Sequence, residues 1–310
     1  MTPIRTGRVG ATPNEERAMR FADIGQQLRA YRLESGLRAE EIAARLGVSR
    51  AALYRYEKGE VIKLDTIRRL AELLKISPLS LLGIGVEYFS RPLALQERLR
   101  QVEEDSEQIL QLGGALCTLV TGEAYDTALA EAMAEAADAA QERLAFHAAA
   151  EQALGLLSAR KRVYQQRRPS IIAMVSETAL RGLLTDGIAP GLRLSDPVRR
   201  RCVLAARSEA ENLAGLMESV PMGLQVGLLT ESAPTSHFIV LRARDRAHLC
   251  ASPFLPDSPP LNAIGVGTVT AADEAVGIHQ RVAEAAWREA RKGAEAAARV
   301  RLLLAETRIH

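Results

Sequence analysis

Between Glu41 and Glu60 the chain reads EIAARLGVSRAALYRYEKGE, two short apolar-periodic runs divided at Gly47. A sharp turn between helices needs a positive φ, which glycine adopts at little cost. Ile42, Ala43 and Leu46 share one face of a helix over about 39–46, and Leu53 and Tyr56 share one face of a second over about 50–57. Ser49 is placed to cap that second helix with its hydroxyl. Ala43 stands where the two helices would cross, and its small side chain permits close approach. With Val48 also turned inward, the stretch is constrained to a tight helical hairpin.

The flanks extend it to five helices. Ile24, Leu28 and Tyr31 form a stripe in a helix expected from Phe21 and stopped at Gly36. Asp65 is placed to cap a fourth helix carrying Ile67, Leu70, Ala71 and Leu74. Ser77-Pro78 opens a fifth, whose Leu79 and Leu82 would close a small core. Residues 21–85 are thus expected to form an all-α domain, preceded by a mobile arm, 1–20, with Arg5 and Arg8 in reach of a minor groove.

Packing the hairpin leaves Arg50, Ala51, Tyr54 and Arg55 on the outer face of its second helix, with Ser49 and Lys58 at the ends and no carboxylate within that face. This is the layout of a helix-turn-helix, whose second helix enters the DNA major groove. An arginine there can bridge guanine O6 and N7, giving about 1–3 kcal/mol of base discrimination. Residues 21–83 resemble the Xre, lambda-repressor-like family. The matching residues are Gly36-Leu37, Glu41-Ile42-Ala43, Leu46-Gly47-Val48-Ser49, Leu53-Tyr54, Tyr56-Glu57 with Gly59, and Leu70-Ala71 through Ile76-Ser77. The resemblance implies binding to operators as a dimer. It makes Ser49, Arg50, Ala51, Tyr54 and Arg55 candidates for base or nearby phosphate contacts, and Lys58 and Lys63 for phosphate contacts. It also implies a structural pair between Arg32 and Glu57. The family's phosphate-bonding Gln or Thr at the start of the second helix is replaced by Ala39, which leaves that anchor absent or supplied by Arg38.

Charge separates this head from the rest of the chain. Residues 1–85 hold 15 Lys and Arg against 10 Asp and Glu, residues 86–160 hold 5 against 13, and residues 161–310 hold 20 against 15. A basic head suits a polyanion; the acidic stretch does not. Residues 93–160 read as helix almost throughout, one helix carrying Leu95, Leu99, Val102, Ile109 and Leu112 and a long Ala-rich segment running from Tyr125 to Leu157. Residues 86–165 are therefore expected to be a helical linker whose apolar stripes form a homodimer interface. Beyond the basic run 160–168, strands are expected at 170–176, 224–230, 237–243, 247–251 and 262–270, with helices at 177–184 and 196–219 and one long helix at 273–306. The expected fold class is multidomain: an all-α five-helix head, a helical dimerisation region, and an α/β or α+β sensor domain over 166–310. This last part loosely resembles the C-terminal domain of a group of actinobacterial Xre regulators, which implies a sensing role.

Other chemistries have less behind them. Three widely spaced cysteines, Cys117, Cys202 and Cys250, form no C-x-x-C and argue against a disulfide framework. Ser176, Asp196 and His237 stand outside any nucleophile-elbow context, so no catalytic residues are assigned. Gly265 and Gly267 lack the rest of a dinucleotide fingerprint, and no cofactor is expected. His248 and Cys250 with His237 lack a second ligand pair, and no metal is expected. Apolar strands bearing Met174, Met222, His237, Phe238 and Arg242 are the candidate walls of a small-molecule pocket. With no apolar run near the ~18 residues of a membrane span, the expectation is a cytoplasmic, non-enzymatic regulator. It would bind double-stranded operator DNA as a homodimer under the control of a small effector. The rival expectation is an antitoxin-like regulator whose C-terminal domain binds a protein.

Overall fold

The computed structural model describes residues 13–82, 85–231, 233–254 and 263–307, with side chains from residue 24 onward. Two compact units divide between residues 84 and 85. The first consists of α1 (Pro13–Ser35), α2 (Ala39–Leu46), α3 (Arg50–Glu57), α4 (Leu64–Leu74) and α5 (Pro78–Leu81). Leu28, Ile42, Leu53, Leu70 and Leu81 are its fully buried core, each contributing roughly 1.5–3 kcal/mol relative to exposure. The turn after α2 is a Schellman ending. Gly47 sits at φ 72° and the Val48 N–H reaches back to Ala43 O at 3.0 Å. Gly25 lets α1 lie directly on the end of α3, because a Cβ there would collide with Tyr56 O and stand 2.8 Å from both Glu57 O and Gly59 N.

Several expectations for this unit are corrected. Helix α1 begins at Pro13, inside the expected arm, since proline suits the first helical turn; Arg5 and Arg8 lie outside the described residues. Lys63, not Asp65, is the cap position of α4, with Asp65 in its first turn. Leu81 fills the core in place of Leu79, which is exposed. Val48 and Tyr56 are half-buried.

The second unit is built on one seven-stranded sheet of order β1-β7-β6-β5-β2-β3-β4. Its strands are β1 (Val86–Phe89), β2 (Gln108–Leu112), β3 (Ser170–Ser176), β4 (Leu224–Leu229), β5 (His237–Arg242), β6 (Ala247–Ser252) and β7 (Gly267–Thr270). Strands β2, β3 and β4 are parallel; all other neighbours are antiparallel. Helices α7 (Glu123–Asp138) and α8 (Arg143–Arg167) make the first parallel crossover, and α9 (Glu177–Asp186) and α10 (Asp196–Ser219) the second. The unit is completed by α6 (Pro92–Glu103), α11 (Asp273–Glu289) and α12 (Gly293–Glu306).

The two faces of this sheet differ in chemistry. Leu112, Met174, Phe238, Val240 and Leu249 form an apolar face packed against Val276 and Ala283 of α11. Strand register puts Gln111, His237, Cys250 and Ser252 on the opposite face, with Glu87 in line beyond them. That face is covered by α6 and α8, which bring buried charges. Arg98 donates to both Glu87 oxygens, its Nε standing 2.9 Å from Oε2. Arg160 forms a bidentate pair with Glu103, both bonds 2.8 Å, and adds a 2.6 Å bond to Gln96.

The expected boundary near residue 165 does not hold, because residues 86–165 supply β1 and β2 to the same sheet as the later strands. Residues 108–112, expected as helix, are β2, a central strand. The apolar stripe expected to face a second copy is used internally: Leu95, Leu99, Ile109, Leu129 and Met133 are buried within the unit. The Ala-rich segment breaks between Asp138 and Arg143. The single closing helix is two, because Arg291 leaves the helical path to form a bridge with Leu228. The last strand begins at Gly267 rather than 262.

Candidate nucleic-acid interface

Ser49 Oγ accepts the Ala52 N–H at 3.1 Å and so starts α3 at a fixed point. From that start Arg50, Ala51 and Arg55 are exposed and Tyr54 half-buried, along one side of the helix. Lys58 at the end of α3 and Lys63 before α4 are also exposed. The far side of α3 is anchored by Leu53 in the core and by Glu57. Arg32 Nε donates to Glu57 Oε1 at 2.6 Å, and its Nη2 donates to Oε2 at 3.1 Å. This bidentate pair is largely shielded from solvent, which fixes the roll of α3 about its axis.

The exposed face of α3 is not free of carboxylates. Glu40 of α2 lies 2.7 Å from Arg50 Nη1, and the Tyr54 hydroxyl accepts from Arg50 Nη2 at 3.2 Å. Together the Tyr54 hydroxyl and the Glu40 charge raise the Arg50 pKa further. Arg55 is paired with Glu60 at 3.4 Å. Both pairs are solvent-exposed, so a phosphate or a guanine edge can displace the carboxylate at small cost. Sequence reasoning missed Glu40 because it precedes Arg50 by ten residues, and only the crossing of α2 and α3 joins them. Arg38 occupies the cap position of α2 and is engaged locally, its N–H donating to Glu41 Oε2 at 2.8 Å and its guanidinium to Oε1 at 3.2 Å. Ala39 is buried and offers no phosphate anchor.

The five residues expected to line a ligand pocket do not converge. Met174 and Phe238 lie in the apolar core under α11. Met222 is fully exposed before β4. Arg242 ends β5 and bonds Gln280 of α11. His237 lines a cavity of about 390 Å³ with Gly113, Gly114, Ser236 and Thr268, and a smaller one of about 20 Å³ with Gln111, Arg160 and Cys250. The alternation of β5 separates His237 from Phe238 onto opposite faces, a consequence that composition does not reveal. Burial pushes His237 down to about 4, with the backbone of Leu112 and Gly113 acting in the opposite sense. Burial also pushes the Cys117 thiol up to about 11 and that of Cys250 to about 12, so both stay protonated at neutral pH.

Among the described residues no helix is long and apolar enough to cross a membrane, and no three His, Cys, Asp or Glu side chains gather as a metal site. Comparison with known families matches residues 23–81 to a helix-turn-helix domain. No curated protein and no solved structure matches the chain. The match spans the five helices of the first unit from within α1 to Leu81 and includes the exposed face of α3. Residues 23–81 therefore form a helix-turn-helix domain, which makes DNA the partner that this unit points to.

Proposed function

We propose that the chain is a cytoplasmic transcriptional regulator that binds a palindromic operator as a homodimer, with a small ligand on the second unit setting its DNA affinity. The observation that carries the reading is the exposed face of α3. Arg50, Tyr54 and Arg55 are presented by a helix whose start and roll are fixed by Ser49 and by the Arg32–Glu57 pair. Base discrimination is assigned to Arg50 and Arg55, with Lys58 and Lys63 holding phosphates. Two copies would set their recognition helices about one DNA turn, ~34 Å, apart. The sensing role of the second unit is supported by its loose likeness to the C-terminal domain of other Xre regulators and by the cavity beside His237.

The test is selection of bound duplexes from a random pool with the full chain. An inverted repeat should emerge. Arg50→Ala should cost about 1–3 kcal/mol of preference at one or two positions per half-site, while Lys58→Ala and Lys63→Ala should weaken all sequences alike and flatten the salt dependence. Recovery of no enriched sequence, or equal losses on specific and random DNA from all three variants, removes the reading.

A further inference from the structure

We infer that the two cavities lined by His237 form the effector site of the second unit and that it takes an uncharged, hydrogen-bonding small organic molecule. The inference deepens the proposed ligand control and rests on it for the effector role, though not for binding itself.

The position comes first. Strands β2, β3 and β4 run parallel, and the chain then returns to lay β5 antiparallel beside β2. The larger cavity opens at this reversal, outside the carboxyl end of β2, where Gly113 and Gly114 leave the sheet. In open α/β sheets the crevice outside the carboxyl ends of strands, at a change of strand order, is where ligands bind. Its volume of about 390 Å³ falls in the range of small-molecule pockets, roughly 300–1,000 Å³.

A second observation is independent of position. His237 is 6% exposed, and its Nδ1, close to the backbone of Leu112 and Gly113, has no hydrogen-bond partner in good geometry among the described residues. A buried polar atom without a partner costs about 1–3 kcal/mol, and such atoms in a fold ask for an explanation. His237 and its cross-strand neighbour Ser252 line both cavities. A ligand in the larger cavity therefore lies against the His237–Ser252 pair, at the edge of a buried imidazole.

Charge selects the class of ligand. Among the described residues the walls of the larger cavity contain no Asp, Glu, Lys or Arg; they offer the Thr235, Ser236 and Thr268 hydroxyls beside apolar Pro234, Pro253 and Val266. The smaller cavity contains Arg160, but Glu103 and Gln96 already occupy its guanidinium. An ion would find no counter-charge among these walls. An amide, lactone or alcohol can satisfy the imidazole and hydroxyls while its carbon frame covers the prolines.

The site also has a covalent route to the head. Thr268 of β7 pairs with Tyr88 of β1, and the Thr270 hydroxyl donates to Gly85 O at 2.9 Å. Gly85 is the first residue of the second unit. A ligand that shifts β7 acts on the segment through which the head is attached.

The experiment uses the full chain with ¹⁵N-labelled histidine, the His237 ring signal being assigned by its loss in His237→Phe. The probes are a set of uncharged amides, lactones and alcohols, each with a size-matched carboxylate and ammonium counterpart. Uncharged members should move the His237 signal, with the charged counterparts at least ten-fold weaker. Val266→Trp and Ser236→Phe, both at the cavity wall, should weaken the hits at least ten-fold while leaving thermal stability unchanged. The inference falls if no uncharged member moves that signal, if charged members bind as well, or if stable filled variants bind the hits undiminished. DNA affinity, measured separately, distinguishes the two readings. A hit that binds at His237 and leaves DNA binding unchanged keeps the site and removes ligand control. DNA binding that responds equally in the filled variants keeps ligand control and removes this site.

Discussion

Glu40 Oε1 stands 2.7 Å from Arg50 Nη1, so an arginine on the exposed face of α3 is held by a carboxylate from the preceding helix. The pair is more than half exposed on both sides, which makes its own contribution to stability small. Under the proposed function its larger effect is on DNA, because a negative charge beside the proposed DNA-binding face repels phosphate. Glu40→Gln should raise affinity for every duplex about two- to five-fold, a change of under about 1 kcal/mol, read by fluorescence anisotropy at several salt concentrations. A fall in specific affinity would instead show that Glu40 positions Arg50 for its base.

The contact of α1 with α3 sets a second expectation. Alanine ordinarily improves a helix interior by about 1 kcal/mol over glycine. At Gly25 the added methyl meets main-chain atoms of Tyr56, Glu57 and Gly59, which cannot swing away as a side chain can. Gly25→Ala should therefore destabilise the head by about 1–3 kcal/mol net and displace α3, lowering operator affinity as well. Chemical denaturation of the full chain, with a signal from the head, measures the first effect.

The buried pair of α6 and α8 offers a third. Arg160 and Glu103 are both nearly inaccessible. Glu103→Gln leaves a buried guanidinium without its counter-charge and should cost about 3–5 kcal/mol, whereas Glu103→Leu combined with Arg160→Met should recover most of the loss. Denaturant midpoints of the two variants decide this. A double variant as unstable as the single one would mean that the pair itself supplies net stability.

Stability should also depend on pH through the polar face of the sheet. Burial pushes both His237 and His248 down to about 4 from 6.5. Below about 6.5 the unfolded chain binds protons that the fold refuses, so stability falls as pH drops from about 6.5 towards 4 and is level above that window. His237 alone accounts for about 3 kcal/mol across it. Glu177, held below the usual carboxylate range first by its bonds from Arg299, adds a loss as pH falls below about 4.5. Unfolding midpoints measured from pH 4 to 8 should show this slope, and His237→Phe should flatten it.

How much was legible in the residues depends on how local each signal is. The hairpin was readable because Gly47, Ser49 and the apolar spacing lie within twenty residues and fix both the turn and the buried face. Strands β3, β4, β5 and β6 were readable because β-branched and apolar runs stand between turn residues. Strand β2 was not. QILQL is five residues long, and Ile109 and Leu112 are three apart, a spacing that continues the helical stripe of Leu95 and Leu99. The polar face was not legible for another reason: Gln111 and Cys250 meet through strands more than a hundred residues apart, and their cover of Arg160 and Glu103 comes from two further helices. No local period encodes such a meeting. The break before α12 did leave a trace, Lys292-Gly293, at the place where the sheet captures Arg291.

The pairing of β1 with β7 has a consequence for how the chain is made. Gly85 and Thr270, which bond across that edge, are 185 positions apart. At about 5–20 residues per second, a ribosome needs roughly 10–40 s to deliver the second after the first. The first unit, which ends before Gly85, is synthesised long before then. During that interval β1, with Glu87 meant for a buried place opposite Val269, has no strand to lie against. The nascent chain thus passes through a stage in which the helix-turn-helix unit is complete and the sheet of the second unit is not.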